Sequence, residues 1–135
     1  DEQEVLRTGH ILLVEDNELN QEIAAALLEE AGFTVEVAGN GRDAVDTLKS
    51  SGPGHFQAIL MDIQMPVMNG YEAARAIRKL ENRALASIPI LAMTANAFEE
   101  DKEEALRSGM DGHIAKPVDV DILMRTLDKV LGRSV

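Results

Sequence analysis

The chain has 135 residues, 45% of them apolar, which suits one ordinary domain able to bury a core and excludes a disordered segment. A formal net charge of −11 argues against binding nucleic acid by phosphate neutralisation and favours cationic partners or a bound metal ion. The absence of cysteine excludes disulfides and thiolate metal sites and fits a reducing compartment, and no apolar run approaches the ~20 residues that cross a bilayer.

Residues 1–8 are polar and acidic, unlike a signal peptide, and read as a linker or lead-in; with no initiating methionine, the chain reads as a piece of something longer. His10-Ile11-Leu12-Leu13-Val14 is a first buried strand that ends in Glu15-Asp16-Asn17, where Asn17 can cap a helix. Leu19, Ile23, Leu27 and Leu28 mark that helix, which stops at Gly32. Phe33–Ala38 alternates apolar and polar residues, as a strand near a sheet edge does. Gly39-Asn40-Gly41 turns the chain into a second helix marked by Ala44, Val45 and Leu48, ending near Ser50, and residues 51–54 are a loop.

Ala58-Ile59-Leu60-Met61 is an unbroken apolar run leading into Asp62, the pattern of a strand buried on both faces with an acid at its carboxyl end. A third helix follows Asn69-Gly70, carries Tyr71, Ala74 and Ile77, and is expected to reach about Glu81. Ile88–Met93 is a fourth strand ending at Thr94, with Pro89 near its start, where a missing N–H is tolerated. Asn96 and Glu99 read as a capping pair for a very polar fourth helix, in which Phe98, Ala105 and Leu106 are expected to pack inward. Gly112-His113-Ile114-Ala115 is a short fifth strand running into Lys116-Pro117, and Ile122, Leu123, Leu127, Val130 and Leu131 stripe a last helix before a tail at 132–135.

Strands alternating with helices imply an α/β fold with a five-stranded parallel sheet, order 2-1-3-4-5, doubly wound and flavodoxin-like. All carboxyl ends of a parallel sheet lie on one side, so Glu15, Asp16, Asp62, Thr94 and Lys116 converge there. Singly, Asp16 reads as a helix cap, Thr94 as a turn residue and Lys116 as a solvated charge. Together they make a chemical set. Crowded carboxylates call for a cation, and oxygen ligands of this kind suit Mg²⁺. A hydroxyl and an ammonium beside it are suited to phosphoryl transfer, with a carboxylate as the nucleophile.

Asp16-Asn17, Met61-Asp62-Ile63-Gln64-Met65-Pro66 with Asn69-Gly70, Met93-Thr94-Ala95-Asn96-Ala97, and Gly109-Met110-Asp111-Gly112 leading to Lys116-Pro117 resemble the receiver domain of two-component response regulators. The resemblance covers residues 9–131. It implies that Asp62 takes a phosphoryl group from a histidine kinase or histidine phosphotransfer protein. It further implies Mg²⁺, or Mn²⁺ in its place, held by Glu15, Asp16, Asp62 and the backbone carbonyl of Gln64. Thr94, Ala95 and Lys116 would contact the phosphoryl group, and the Lys116–Pro117 bond would be cis. Pro66 and Gly70 would shape the rim of the loop, and Gln64 and Asn96 would tune hydrolysis of the phosphoaspartate. The family's switch residue, an aromatic three positions before the lysine, is replaced by His113, which with Thr94 is the switch candidate. The switched face would be the fourth predicted helix, the fifth strand and the last helix.

The motifs look most like receivers attached to hybrid sensor histidine kinases, which implies a cytoplasmic domain that transfers phosphate to and from its own Asp62 without being a turnover enzyme. The resemblance leaves room for a phosphorylation-dependent dimer and gives no membrane or nucleic-acid role to this domain. A free-standing single-domain regulator is the alternative. A haloacid-dehalogenase-type hydrolase would want a second Asp at position 64, where Gln stands. A flavin module would want amides and hydroxyls in the acidic loop after the first strand.

Overall fold

The computed structural model describes residues 9–95 and 99–132. Five strands, β1 (His10–Val14), β2 (Thr34–Ala38), β3 (Ala58–Asp62), β4 (Ile90–Thr94) and β5 (Gly112–Ala115), form one parallel sheet in the order β2-β1-β3-β4-β5. Six helices accompany them: α1 (Glu18–Glu30), α2 (Gly41–Ser51), α3 (Gly70–Arg78), α4 (Arg83–Ala86), α5 (Glu99–Ser108) and α6 (Val120–Val130). The doubly wound expectation and its strand order hold. The lead-in at 1–8, the Asn96 cap, Phe98 and residues 133–135 lie outside the described residues.

The central strands β1, β3 and β4 are apolar along their middles, Ile11–Val14, Ala58–Met61 and Ile90–Met93, because both sheet faces are covered. Alternation sorts their side chains into two layers. Leu12, Val14, Ile59, Met61, Ile90 and Ala92 face Leu48, Ala74, Ile77 and Ala105 of α2, α3 and α5. Ile11, Leu13, Leu60, Leu91, Met93 and Ile114 face Ala24 and Leu28 of α1 and Leu123 and Leu127 of α6. Each fully buried Leu or Ile contributes roughly 1.5–3 kcal/mol.

Helix starts follow their caps. The side chain of Asn17 accepts from the Asn20 amide and Asn40 from that of Asp43, while Asn69 and Glu72 complete a reciprocal capping box. α3 stops at Arg78 rather than near Glu81, and a short helix, α4, absent from the sequence expectation, follows. Its cause is Asn82, whose side chain accepts from the amides of Ala84 and Leu85. Four residues are too few to display a helical period. β2 begins at Thr34 and β4 at Ile90, later than expected, although Phe33 and Ile88 are buried beside them.

Several side chains expected inside are outside: Leu19 (64% exposed), Ile23, Leu106 and Ile122. In α1 the inward positions are Ala24 and Leu28, so the helix is rotated by about one residue from the stripe read in the sequence, and Leu19 and Ile23 fall on its flank. In α6 the inward set is Leu123, Met124 and Leu127. In α5, Ala105 packs as expected, and among the described side chains the other buried position is Ser108 rather than Leu106.

Arg78 ties α3 to the ends of three other segments. Its guanidinium donates to the carbonyls of Ala86, Ile88 and Gly109 at 2.7–2.8 Å and to Asp111 at 3.0 Å. Asp111 also accepts from the Ile90 amide at 2.8 Å, which anchors the start of β4. Burial lowers the pKa of Arg78, and the neighbouring Asp111 works against that fall.

Candidate functional site

The carboxyl ends of β1, β3, β4 and β5 bring four of the predicted site residues to one edge, with Asp16 in the loop beyond β1. Asp62 is the last residue of β3 and is 5% exposed. The next residue, Ile63, donates from its amide to Met93 O at 3.1 Å, and its carbonyl accepts from Gly70 N at 2.8 Å, so the loop leaves the strand in a fixed direction. Gly70 is needed for that closure: a Cβ there would stand 2.6 Å from the carbonyl oxygen of Asp62 and 2.9 Å from Ile63 Cα. The loop turns at Pro66-Val67-Met68, where Met68 N donates to Pro66 O at 2.7 Å and exposed Val67 is held at φ 71°. Positive φ is costly for a β-branched residue, so backbone strain lies at Val67, in the loop that follows Asp62.

Glu15 follows β1 and is 2% exposed. Its amide donates to Ala38 O and its carbonyl accepts from the Gln21 side chain. One carboxylate oxygen accepts from the Asn17 amide at 3.2 Å and the other from Lys116 Nζ at 3.2 Å. Lys116 follows β5, where its amide donates to Thr94 O at 2.8 Å. Its ammonium also lies 3.1 Å from Asp62 Oδ2. The Lys116–Pro117 bond is cis.

One ammonium therefore serves two buried carboxylates. Asp16, exposed in the loop after β1, adds a third, and the oxygens of Glu15, Asp16 and Asp62 lie within 4.8 Å of one another. Burial, joined by the charge of Glu15, raises the Asp62 carboxyl above the usual carboxylate range. The Lys116 hydrogen bond and charge and the Gln64 amide oppose this without cancelling it. Burial depresses the Lys116 ammonium, but Asp62 and then Glu15 outweigh it and hold its pKa above the ordinary lysine value. Three carboxylates against one ammonium leave room for two more positive charges. Hard oxygen donors of this kind fit a dication such as Mg²⁺.

Thr94 ends β4, is buried, and lines a cleft of about 530 Å³ with Ile63, Gln64, Met65, Pro66, Asn69 and Tyr71. The cleft adjoins the loop that leaves Asp62. Ala95 is exposed just past Thr94, and Asn96 is outside the described residues. His113 pairs with Ala92 across β4–β5, so it projects to the same sheet face as Thr94, two residues further along β4; it is half-buried at the sheet edge. Tyr71 in the cleft wall, and Gln21 on the Glu15 carbonyl, had no functional reading in the sequence, because nothing local marks a helix residue that reaches a loop from another element.

The response regulator receiver domain model matches residues 11–128. The chain is 39% identical over 120 residues to the hybrid signal transduction histidine kinase I of Dictyostelium discoideum, covering 87% of this chain and 7% of that protein. It is 37% identical over 137 residues to histidine kinase 2 of Arabidopsis thaliana, covering 88% of this chain and 12% of that protein. The chain thus spans a small part of the curated relatives it matches. Among solved structures, it is similar to the receiver domain of a Pseudomonas aeruginosa sensor histidine kinase with a magnesium ion coordinated in the active site cleft. That likeness has 40% identity and a TM-score of 0.80, covering 93% of this chain and 99% of the other. It is also similar, at 34% identity and a TM-score of 0.82, to a chain in the Saccharomyces cerevisiae co-crystal structure of the histidine phosphotransfer protein Ypd1 and the receiver domain of its downstream response regulator Ssk1. There it covers 93% of this chain and 90% of the other.

Proposed function

The chain belongs to the response regulator receiver domain family, and on that footing we propose that Asp62 accepts a phosphoryl group from a phosphohistidine. The observation that carries this reading is the placement of Asp62: buried at a strand end, 3.1 Å from Lys116 Nζ, with its chain neighbours Ile63 and Gln64 lining the cleft that Thr94 also lines. The ionised Asp62 oxygen attacks phosphorus as the bond from phosphorus to the donor imidazole nitrogen breaks, and the electron pair leaves with the imidazole. Lys116, freed from sharing its charge with Asp62, neutralises a phosphoryl oxygen, and the Thr94 hydroxyl donates to another. Ala95 contributes its backbone. Water then hydrolyses the acyl phosphate at a rate that Gln64 tunes.

Glu15, Asp16, Asp62 and the Gln64 carbonyl are the ligands for Mg²⁺, with Mn²⁺ as an alternative. When bound, the dication offsets the negative charge that gathers on the carboxylates and the phosphoryl oxygens. The donor set supports this reading, and the magnesium-bearing receiver from Pseudomonas aeruginosa agrees with it.

The partner is a histidine kinase or a histidine phosphotransfer protein, as the kinase relatives and the Ypd1 co-crystal favour. Exposed Ile23 stands on a small groove that also includes Glu15, Lys116 and Pro117, and exposed Leu19 lies one turn away on α1, so the approach to Asp62 has an apolar shoulder. The receiver unit spans 9–131 and works in the cytoplasm, as part of a hybrid kinase. Among the described residues no helix is long and apolar enough to cross a membrane.

Acetyl phosphate with Mg²⁺ adds the mass of one phosphoryl group to the wild type and none to Asp62→Asn. Phosphorylation that survives the substitution overturns the assignment.

A further inference from the structure

At the opposite, amino-terminal end of the sheet, three side chains from separate segments meet: His10 at the start of β1, Glu36 in β2 and His55 in the loop between α2 and β3. Their candidate ligand atoms lie within 4.8 Å of one another. We propose that His10, Glu36 and His55 form a second metal site, selective for a nitrogen-preferring dication such as Zn²⁺.

The hydrogen bonds around His10 aim its free lone pair. Thr34 Oγ1 donates to the Gly9 carbonyl at 3.1 Å, so at 2.9 Å from His10 Nδ1 it accepts rather than donates. With Nδ1 as the donor, the lone pair of the neutral ring lies on Nε2, which faces Glu36 Oε1 at 3.9 Å. His55 Nε2 faces the same oxygen at 3.7 Å. Both separations are too long for hydrogen bonds. They approach the spacing around a shared ion, since tetrahedral ligands at about 2.0–2.2 Å from zinc stand roughly 3.3–3.5 Å apart. A contraction of the two His–Glu separations by about half an ångström or less, with the His10 and His55 nitrogens drawn in from within 4.8 Å, completes the arrangement, with water as the fourth ligand.

The scaffold for that contraction is in place. The His10 and His55 rings lie 4.5 Å apart between centroids, and both pack edgewise on Phe56, which is 6% exposed. The three ligating side chains are 31–48% exposed, so an ion has direct access. Thr34 is the outer partner that fixes the His10 tautomer, the arrangement usual for metal-bound imidazole. Imidazole nitrogens favour Zn²⁺, Ni²⁺ or Cu²⁺, whereas the all-oxygen cluster near Asp62 favours Mg²⁺, so the two ends of the sheet select different ions. Occupancy would clamp the loop at residues 52–57 onto β1 and β2.

The test uses the untagged chain in excess Mg²⁺, titrated with ZnCl₂ by calorimetry and followed by nitrogen NMR of the three histidine side chains. The expected result is one Zn²⁺ per chain, with the Nε2 signals of His10 and His55 moving together and that of His113 unmoved. His55→Gln and Glu36→Gln each weaken binding at least tenfold, and Thr34→Val weakens it about tenfold. Asp62→Asn leaves it unchanged, which separates this site from the phosphoacceptor. Unmoved His10 and His55 signals in the wild type, or undiminished affinity in His55→Gln, overturn the proposal.

Discussion

The Nζ of Lys116 lies 3.1 Å from Oδ2 of Asp62 and 3.2 Å from Oε1 of Glu15, so a single ammonium bridges the ends of three strands. Buried ion pairs add little net stability, but removing one partner leaves the other charge stranded. Here the stranding would be double. The site is thus organised around a deficit of positive charge, which a dication or a proton on Asp62 relieves.

Lys116→Met keeps the apolar stem and removes the charge. Without metal it should cost about 2 kcal/mol, below the full penalty for an unpaired buried charge because Lys116 is 23% exposed and Asp62 can take up a proton. Thermal melts with and without Mg²⁺ check this. Mg²⁺ should recover part of the lost Tm in the variant, and equal deficits in both conditions contradict the charge argument.

Asp62→Asn should raise Tm at pH 7 without metal. The folded-state pKa of Asp62 lies above its ordinary value of 3.8, so the unfolded chain ionises first as pH rises. Folding stability is then lost between 3.8 and the raised folded value, and stays lost at higher pH. Asparagine escapes that loss. The gain should be a few °C, the shift that about 1 kcal/mol produces at this size. It should disappear below pH 3.8, where both states are protonated, and Mg²⁺ should stabilise the wild type more than the variant. Melts across pH 3–8 show whether the difference closes at the acid end.

Gly70→Ala should cost roughly 2 kcal/mol and disturb the site, because the added methyl meets the Asp62 carbonyl oxygen at 2.6 Å and that contact is backbone with little freedom to move. Denaturant titration gives the stability, and the acetyl phosphate reaction gives the effect on Asp62. A fall in stability with an unchanged rate would mean the loop absorbs the clash away from the carboxylate.

The strand ends were legible because strands covered on both faces read as unbroken apolar runs, and the first polar residue after each run marks the edge. Parallel topology then places Glu15, Asp62, Thr94 and Lys116 together without further information. The rotation of α1 was not legible. Of the stripe Leu19, Ile23, Leu27 and Leu28, only Leu28 is fully buried, and it shares the inward face with Ala24, one residue round from Leu19 and Ile23; hydrophobicity ranks leucine above alanine although the small residue sits against the sheet. The bonds from Arg78 to three carbonyls leave no trace, since backbone acceptors have no residue identity. His10, Glu36 and His55 meet only through the register of β1 with β2 and the return of the loop before β3.

Phosphorylation at Asp62 is expected to reach the face formed by α5, β5 and α6 through Thr94. Thr94 is 8% exposed, lies opposite Ala115 in the β4–β5 register, and accepts the Lys116 amide on its carbonyl. A hydroxyl drawn toward a phosphoryl oxygen would open space on the sheet face to which His113 also projects. With Mg²⁺ and beryllofluoride, wild-type amide NMR signals should shift at 62–70 and also along α5, β5 and α6. Thr94→Ala should keep the first set and lose the second, because the ligand still binds while the side chain that relays it is gone. His113→Ala should keep the first set and reduce the shifts in β5, since a methyl cannot fill the space that the imidazole would enter. Full α5, β5 and α6 shifts in Thr94→Ala would show that the signal travels through the Lys116 backbone instead.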